Sequence, residues 1–262
     1  MSTRTPRWQA APEPPDEAAR IRALRDLGML DASPDAVLDE LAWLASSVCG
    51  TPIAAVSLLD EGRQLFKGMV GLTVRETERD QSFCAHAILK PDETMTVENA
   101  LDDDRFAENP LVTGGPGIRF YTGVPMVSSD GCSLGALCVI DRVPRRLTAE
   151  QERALRLLAR NAVSQMELRR RARSLAELAR LKDEFVSTVS HELRTPLTSI
   201  KGSLQLLDGA GDADERAELV RVALGNADRL IRMINDILDI AKIEADARTL
   251  HRVTQPVAVL AA

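Results

Sequence analysis

Aromatic residues are scarce in this chain of 262 residues, at 3%, with one Tyr and two Trp. A protein that stacks the bases of single-stranded nucleic acid draws on more of them. Long apolar runs are missing as well. Nothing approaches the roughly 18 residues of a membrane-spanning helix, and the N-terminal MSTRTPRWQAAPEPPDE lacks the apolar core of a secretory signal. The four cysteines, Cys49, Cys84, Cys132 and Cys138, are too few for a disulfide framework. That usage suits a reducing, cytoplasmic setting. Positive charge is not in excess either, since the net charge is −6, which argues against nucleic acid as a partner. What is present is ordinary for a folded protein, with 45% hydrophobic and 27% charged residues. The length fits one or two domains of roughly 100–200 residues.

Pro6, Pro12, Pro14 and Pro15 mark residues 1–15 as a disordered tail. A helix is expected from Asp16, with Ile21, Leu24, Leu27 and Leu30 at helical spacing. A second is expected to open at Ser33-Pro34 and to bury Leu38, Leu41, Trp43, Leu44 and Val48 before Gly50 ends it. From Ile53 the texture becomes strand-like. Strands are expected over 53–59, 64–70, 95–97, 118–127 and 133–140, with turns at Asp60-Glu61-Gly62 and Ser129-Asp130-Gly131 and a short helix over 81–89. Strands and helices mix without regular alternation, which predicts an α+β domain built on an antiparallel sheet, over 16–147.

After Pro144 the pattern turns helical. Thr148 and Gln151 have the spacing of a capping box. Leu155, Leu158, Val163, Met166, Leu175, Leu178, Leu181, Phe185 and Val189 follow at intervals mostly of three, four and seven. That is the narrow stripe of a coiled coil. Residues 148–173 read as a connecting helix and 174–246 as an all-α helical hairpin, broken at Gly209 to Asp212. The returning helix carries Leu219, Val222, Ala223, Leu230, Ile234, Ile237 and Ala241. One partner helix cannot cover these stripes, so a homodimer forming a four-helix bundle is expected. Residues 247–262 read as a tail or a truncated linker.

His86, His191 and His251 are the three histidines. His191 lies in a polar cluster with Ser187, Ser190, Arg194, Thr195, Thr198 and Ser199. Pro196 falls inside the same helix, where it costs about 3 kcal/mol. A costly residue beside a polar cluster marks a place to look for function. A neutral imidazole is a nucleophile at pH 7. Glu192 is placed to take its other proton, and Thr195, four residues on, shares its face. By pattern alone, a surface histidine on a bent helix is an equal reading.

The segment FVSTVSHELRTPLTSIKG resembles the phosphoacceptor box of sensor histidine kinases over 18 contiguous residues, 185–202. The resemblance implies a dimerisation and histidine-phosphotransfer domain over 174–246. It implies that His191 accepts the γ-phosphoryl of ATP, with Glu192 as general base and Pro196 at the helix bend. Thr195 would position water for dephosphorylating a response regulator, and Asn226 would be bundle packing. The implied partners are a response-regulator receiver domain and an ATP-binding kinase domain that uses ATP and Mg. That last domain is not in the sequence. Only 16 residues follow Asp246, and none is a glycine. The chain alone is therefore expected to be inactive as a kinase. It reads as a fragment of a longer kinase, or else as a natural short form phosphorylated in trans. Two other classes stay open, a kinase-dead phosphotransfer or phosphatase protein and a non-catalytic ligand-binding dimer.

Residues 20–145 resemble GAF domains through RDQSFCAHAI, DDRFAENPLVTGGPGIRFYTGVPM and LGALCVIDRVPR. That resemblance implies helices on one side of the sheet and a pocket on the other, with a ligand that the family name does not choose. Candidate pocket residues are Cys84, His86, Phe120 and Tyr121, with Arg119 and Asp141 near strand ends. Ordinary sheet packing is as good a reading of them. Cys84 and His86 alone are too few for a metal site, so no metal and no cofactor is assigned. Cys84, Cys132 and Cys138 read as small buried hydrophobes. Arg169, Arg170, Arg171 and Arg173 read as a solvated helix face paired with Glu167 and Glu177 rather than a phosphate site.

Overall fold

A computed structural model describes residues 8–31, 33–207, 209 and 212–246. The remainder of the expected tails, with His251, lies outside the described residues. Two compact units divide near residue 175. In the first, helices α1 (Glu17–Asp26) and α2 (Ala36–Cys49) precede strands β1 (Ile53–Leu59), β2 (Arg63–Val70) and β3 (Glu76–Glu78). A single 3-10 turn (Arg79–Gln81), α3 (Phe83–Ala87), β4 (Met95–Val97) and α4 (Pro110–Thr113) follow. Strands β5 (Phe120–Val127) and β6 (Ser133–Asp141) complete the sheet, and α5 (Ala149–Leu207) leaves it.

The sheet order is β3-β2-β1-β6-β5-β4, and every pairing is antiparallel. Central strands β1 and β6 are buried along their whole length. Both faces of the sheet are covered, so these strands read as apolar runs rather than as alternation. One face packs on α1, α2 and the start of α5 through Leu24, Leu38, Leu134, Leu155, Val163 and Met166. The other face packs under α3, α4 and the loops through Phe83, Phe106, Tyr121 and Ile88.

Helix α2 differs from the expectation in its start and in its buried side. Its N-cap is Asp35, whose carboxylate accepts from the Val37 and Leu38 amides, and Pro34 lies before the helix. Leu38, Leu41, Ala42, Ala45 and Cys49 face the sheet, while Trp43, Leu44 and Val48 are exposed. The reason is close approach. A Cβ at Gly68 of β2 would overlap the Leu38 carbonyl, so the start of α2 rests directly on the strand, and this close seating fixes which side of the helix is buried. Gln9 to Ala11 also departs from the expected loose tail. The Gln9 amide donates to the Arg105 carbonyl at 3.3 Å, and Ala11 packs on the core under α3. Strand β3 and helix α4 had no counterpart in the sequence reading, because three and four residues leave no periodicity.

Buried charges tie the helices to the sheet. Arg20 is 2% exposed and donates to both Glu17 oxygens at 2.7 Å and to the Leu59 carbonyl at 2.6 Å. Arg79 donates to Glu17 at 2.5 Å. Lys67 donates to Asp31 and to the Ser33 carbonyl, holding the connection between α1 and α2. The capping box at the start of α5 is formed in both directions, between Thr148 and Gln151. Farther along α5, Arg169 pairs with the N-cap Asp35, and Arg173 donates to the Leu27 and Gly28 carbonyls at the end of α1. Arg171 pairs with Glu167 as expected, whereas Glu177 pairs with Arg180. Half of the arginine cluster is thus a clamp on the sheet domain and not a solvated face.

The second unit contains the rest of α5 and the returning helix α6 (Ala213–Asp246), capped by Asp212, which accepts from the Glu215 amide at 2.8 Å. Pro196, Ser203 and Ala223 are buried in this hairpin. Leu197, Leu204, Leu224, Ile231 and Leu238 are all exposed, with Leu224, Ile231 and Leu238 at heptad spacing.

Two outcomes follow for stability. Asp35→Ala removes a cap and strands Arg169, and should cost about 1–2 kcal/mol in urea unfolding. Asp35→Asn keeps the cap and should cost less. Burial pushes the Glu17 carboxyl up, but the Arg20 and Arg79 guanidiniums outweigh it and bring it down to about 2. Its contribution is therefore full above about 4.5 and is lost as pH falls from there toward 2. Glu17→Gln should lower stability at pH 7 and flatten the loss over that acid window, as read from denaturation midpoints against pH.

Candidate functional site

Two places in the molecule can carry chemistry. The first is the polar box on α5. His191 projects into solvent, with its side chain 77% exposed. The Glu192 carboxylate lies 3.9 Å from His191 Nδ1, which leaves Nε2 uncovered. The other Glu192 oxygen is 3.9 Å from the Arg229 guanidinium of α6. Thr195 donates to the His191 carbonyl at 3.3 Å. Pro196 is buried in the hairpin, on the helix side away from His191. Its ring nitrogen cannot donate to the Glu192 carbonyl, so the ladder is interrupted one residue beyond His191. Asn226 donates to Ser199 Oγ at 3.1 Å and to the Val222 carbonyl at 2.9 Å, tying the two helices together below the box.

This arrangement presents an imidazole nitrogen to an incoming group while a carboxylate stands beside the opposite nitrogen. It is the geometry of an accessible nucleophile with an adjacent base. Arg229 is the residue that sequence reading missed. It lies 38 positions from His191, on a helix whose polar face gave no reason to single it out.

The second place is a cavity of about 420 Å³ on the α3 side of the sheet. Cys84 and Tyr121 line it, together with Gln64, Thr77, Phe83, Cys138 and Arg142. Thr73, Val74, Gly115 and Arg142 are exposed at its mouth, while Cys84, Tyr121 and Cys138 are buried at its floor. The other two pocket candidates do not line it. Phe120 neighbours Tyr121 on a strand and so points to the opposite face, into the helix-side core. His86 bonds through Nε2 to the Gln9 carbonyl at 3.0 Å and packs edge-on against Phe106. Burial pulls its imidazole below the ordinary histidine value, which keeps it neutral there. Arg119 donates to the Val112 and Ile118 carbonyls, and Asp141 pairs with Arg145, so both serve loop structure.

Cys84 is the polar centre of the cavity floor. Tyr121 donates its hydroxyl to the sulfur at 3.2 Å, and Gln64 donates its amide at 3.3 Å. Burial pushes the Cys84 thiol up, but the neighbouring Cys138 and Ser57 side chains and these two hydrogen bonds outweigh it and bring it below the usual thiol value. Cys138 is held well above its usual value, by its interaction with Cys84 and by burial. Cys132 is only partly buried, unlike the other three cysteines. Among the described residues no group of three or more His, Cys, Asp or Glu could hold a metal ion. No described helix is long and apolar enough to cross a membrane.

Residues 33–166 match the GAF domain family, and residues 181–246 match the His Kinase A (phospho-acceptor) domain. The chain is 45% identical over 144 residues to a cyclic di-GMP phosphodiesterase of Pseudomonas aeruginosa, covering 55% of this chain and 24% of that one. It is 42% identical over 83 residues to the peroxide stress-activated histidine kinase mak3 of Schizosaccharomyces pombe, covering 31% of this chain and 4% of that one. It is 35% identical over 85 residues to the sensor protein SrrB of Staphylococcus aureus, covering 32% of this chain and 15% of that one. The chain thus spans under a quarter of the length of each relative.

Because His191 is so exposed, His191→Gln should leave thermal unfolding within about 0.5 kcal/mol of the parent. Unchanged melting would make any loss of function in that variant a loss of chemistry.

Proposed function

The chain belongs to the GAF domain family, with a phospho-acceptor domain behind the GAF domain, and on that premise we propose that it is the sensing and phosphoryl-accepting part of a two-component histidine kinase. The observation that carries the reading is His191, exposed on a helix and flanked by a carboxylate at its Nδ1. His191 Nε2 attacks the γ-phosphorus of ATP, the N–P bond forms, and the bond to the ADP oxygen breaks. Glu192 takes up the charge that develops on the ring by accepting the Nδ1 proton. Arg229 fixes the far oxygen of Glu192 and so sets its orientation. The phosphoryl group then passes to an aspartate of a response-regulator receiver domain. Thr195 positions water for the reverse, hydrolytic traffic.

ATP itself is held elsewhere. The glycines from the box onward are Gly202, Gly209, Gly211 and Gly225, none in a phosphate-binding pattern. The donor is an ATP-binding domain outside these residues, acting in cis or in trans in the cytoplasm. Two chains pair along Leu197, Leu204, Leu224, Ile231 and Leu238, whose exposure in one hairpin supports a four-helix bundle. The GAF domain biases the site through α5, which both units share.

The test supplies the chain with radiolabelled ATP and the separate ATP-binding domain of a sensor histidine kinase. Acid-labile, base-stable label should appear on the parent chain and be absent from His191→Gln. Arg229→Ala should slow labelling about tenfold without dissociating the dimer. Equal labelling of His191→Gln would overturn the assignment of the acceptor, and a parent chain that takes no label would leave a ligand-binding dimer.

A further inference from the structure

Phosphoryl transfer at His191 makes no use of the thiol cluster under the sheet. Cys84 is 1% exposed, yet its sulfur faces a cavity that opens to the surface. Tyr121 from β5 and Gln64 from β2 both donate to that sulfur. A thiol needs no such pair, because it is a weak acceptor. A thiolate does, because two donors offset the loss of water around its charge. Cys138 from β6 lines the same cavity, so two sulfurs share one small space. Among the described residues, the only charged side chain lining that space is Arg142, at the mouth, where its sign favours a thiolate.

We propose that Cys84 is a peroxide-reactive thiol, that Cys138 is its resolving partner, and that the cavity admits hydrogen peroxide to them. In the first step the Cys84 thiolate sulfur attacks a peroxide oxygen. An S–O bond forms, the O–O bond breaks, and the leaving oxygen departs as water once protonated. In the second step the Cys138 sulfur attacks the Cys84 sulfenic acid. The S–S bond forms, the S–O bond breaks, and hydroxide leaves with the Cys138 proton as water. Two thiols and one hydrogen peroxide thus give one disulfide and two waters. The roles are not interchangeable. Cys84 holds the two donors, while Cys138 is kept protonated by its neighbour and by burial. Cys49 is no competitor, because burial alone pushes its thiol up to about 11. This chemistry does not depend on the phosphoryl transfer assigned to His191.

The test uses the full chain, reduced, freed of reductant and treated with one equivalent of hydrogen peroxide at pH 7. Peptide mass spectrometry should find a Cys84–Cys138 disulfide, with Cys49 and Cys132 still open to alkylation. In Cys138→Ser the product should stop at a Cys84 sulfenic acid, trapped by dimedone. Tyr121→Phe removes one donor and should slow the reaction about tenfold at pH 7, with the rate recovering as pH rises. That pH profile separates a role at the sulfur from a packing role. Oxidation of the partly exposed Cys132 ahead of Cys84 would overturn the proposal. So would a Cys84 that stays reduced in the parent chain, whose folding needs no substitution.

Discussion

The structure depends on one helix closing one sheet face. Leu155, Ala159, Ala162, Val163 and Met166 of α5 are buried against the six-stranded sheet, and α1 and α2 cover only the remainder of that face. Removing this stretch of α5 would expose Leu134, Leu137 and Phe120 to water, each fully buried here. At roughly 1.5–3 kcal/mol for each large apolar side chain, such exposure rivals the net stability of a domain. The start of α5 is thus part of the sheet domain's core. The helix seated in the sheet domain is the one that bears His191. Arg169 on Asp35 and Arg173 on the end of α1 extend that seating by another turn.

The site illustrates what a helix gives up to hold chemistry. Between Val189 and Ser203 the apolar row of Leu193, Leu197 and Ile200 shares the helix with His191, Arg194, Thr195 and Thr198, and Pro196 sits inside a 59-residue helix. Neither feature helps the hairpin fold. Burial of Pro196 recovers part of its cost by packing, and Asn226 restores a polar tie between the helices one turn away. The apolar rows of α6 run on beside the box, where a second chain covers them in the dimer proposed above. Interhelical packing and reactive surface therefore occupy different sides of one short segment, which is how the box remains open to a partner.

Much of this was legible in the sequence, and the failures have physical causes. Antiparallel β1, β2, β4, β5 and β6 and both long helices followed from periodicity and turn residues. The capping box at Thr148 followed from residue type and spacing. Trp43, Leu44 and Val48 are exposed because α2 is seated on Gly68 through Leu38, which turns Leu41, Ala42, Ala45 and Cys49 to the sheet instead. Phe120 misled because two adjacent strand residues cannot share one face. The expected opening at Ser33-Pro34 falls too early, because it is the Asp35 carboxylate that accepts from the first free amides. Arg229 and Gln64 could not be found at all. Each acts only through a neighbour that is distant in sequence and brought close by folding.

Gln64 and Tyr121 bear most directly on what the cavity is for. Leu at 64 and Phe at 121 would fill the same space, and an apolar floor would not bury an amide and a phenol. Burying polar groups is tolerated only when they are hydrogen-bonded, and the partner both have found is a single sulfur. With a neutral thiol there, two donors share one weak acceptor and the exchange for water is a poor one. With a thiolate there, both become charge-assisted bonds of about twice the strength. The floor is thus better satisfied with Cys84 charged than neutral. The electrostatics that keep the sheet domain intact around those buried polar groups are the same ones that make its sulfur a nucleophile.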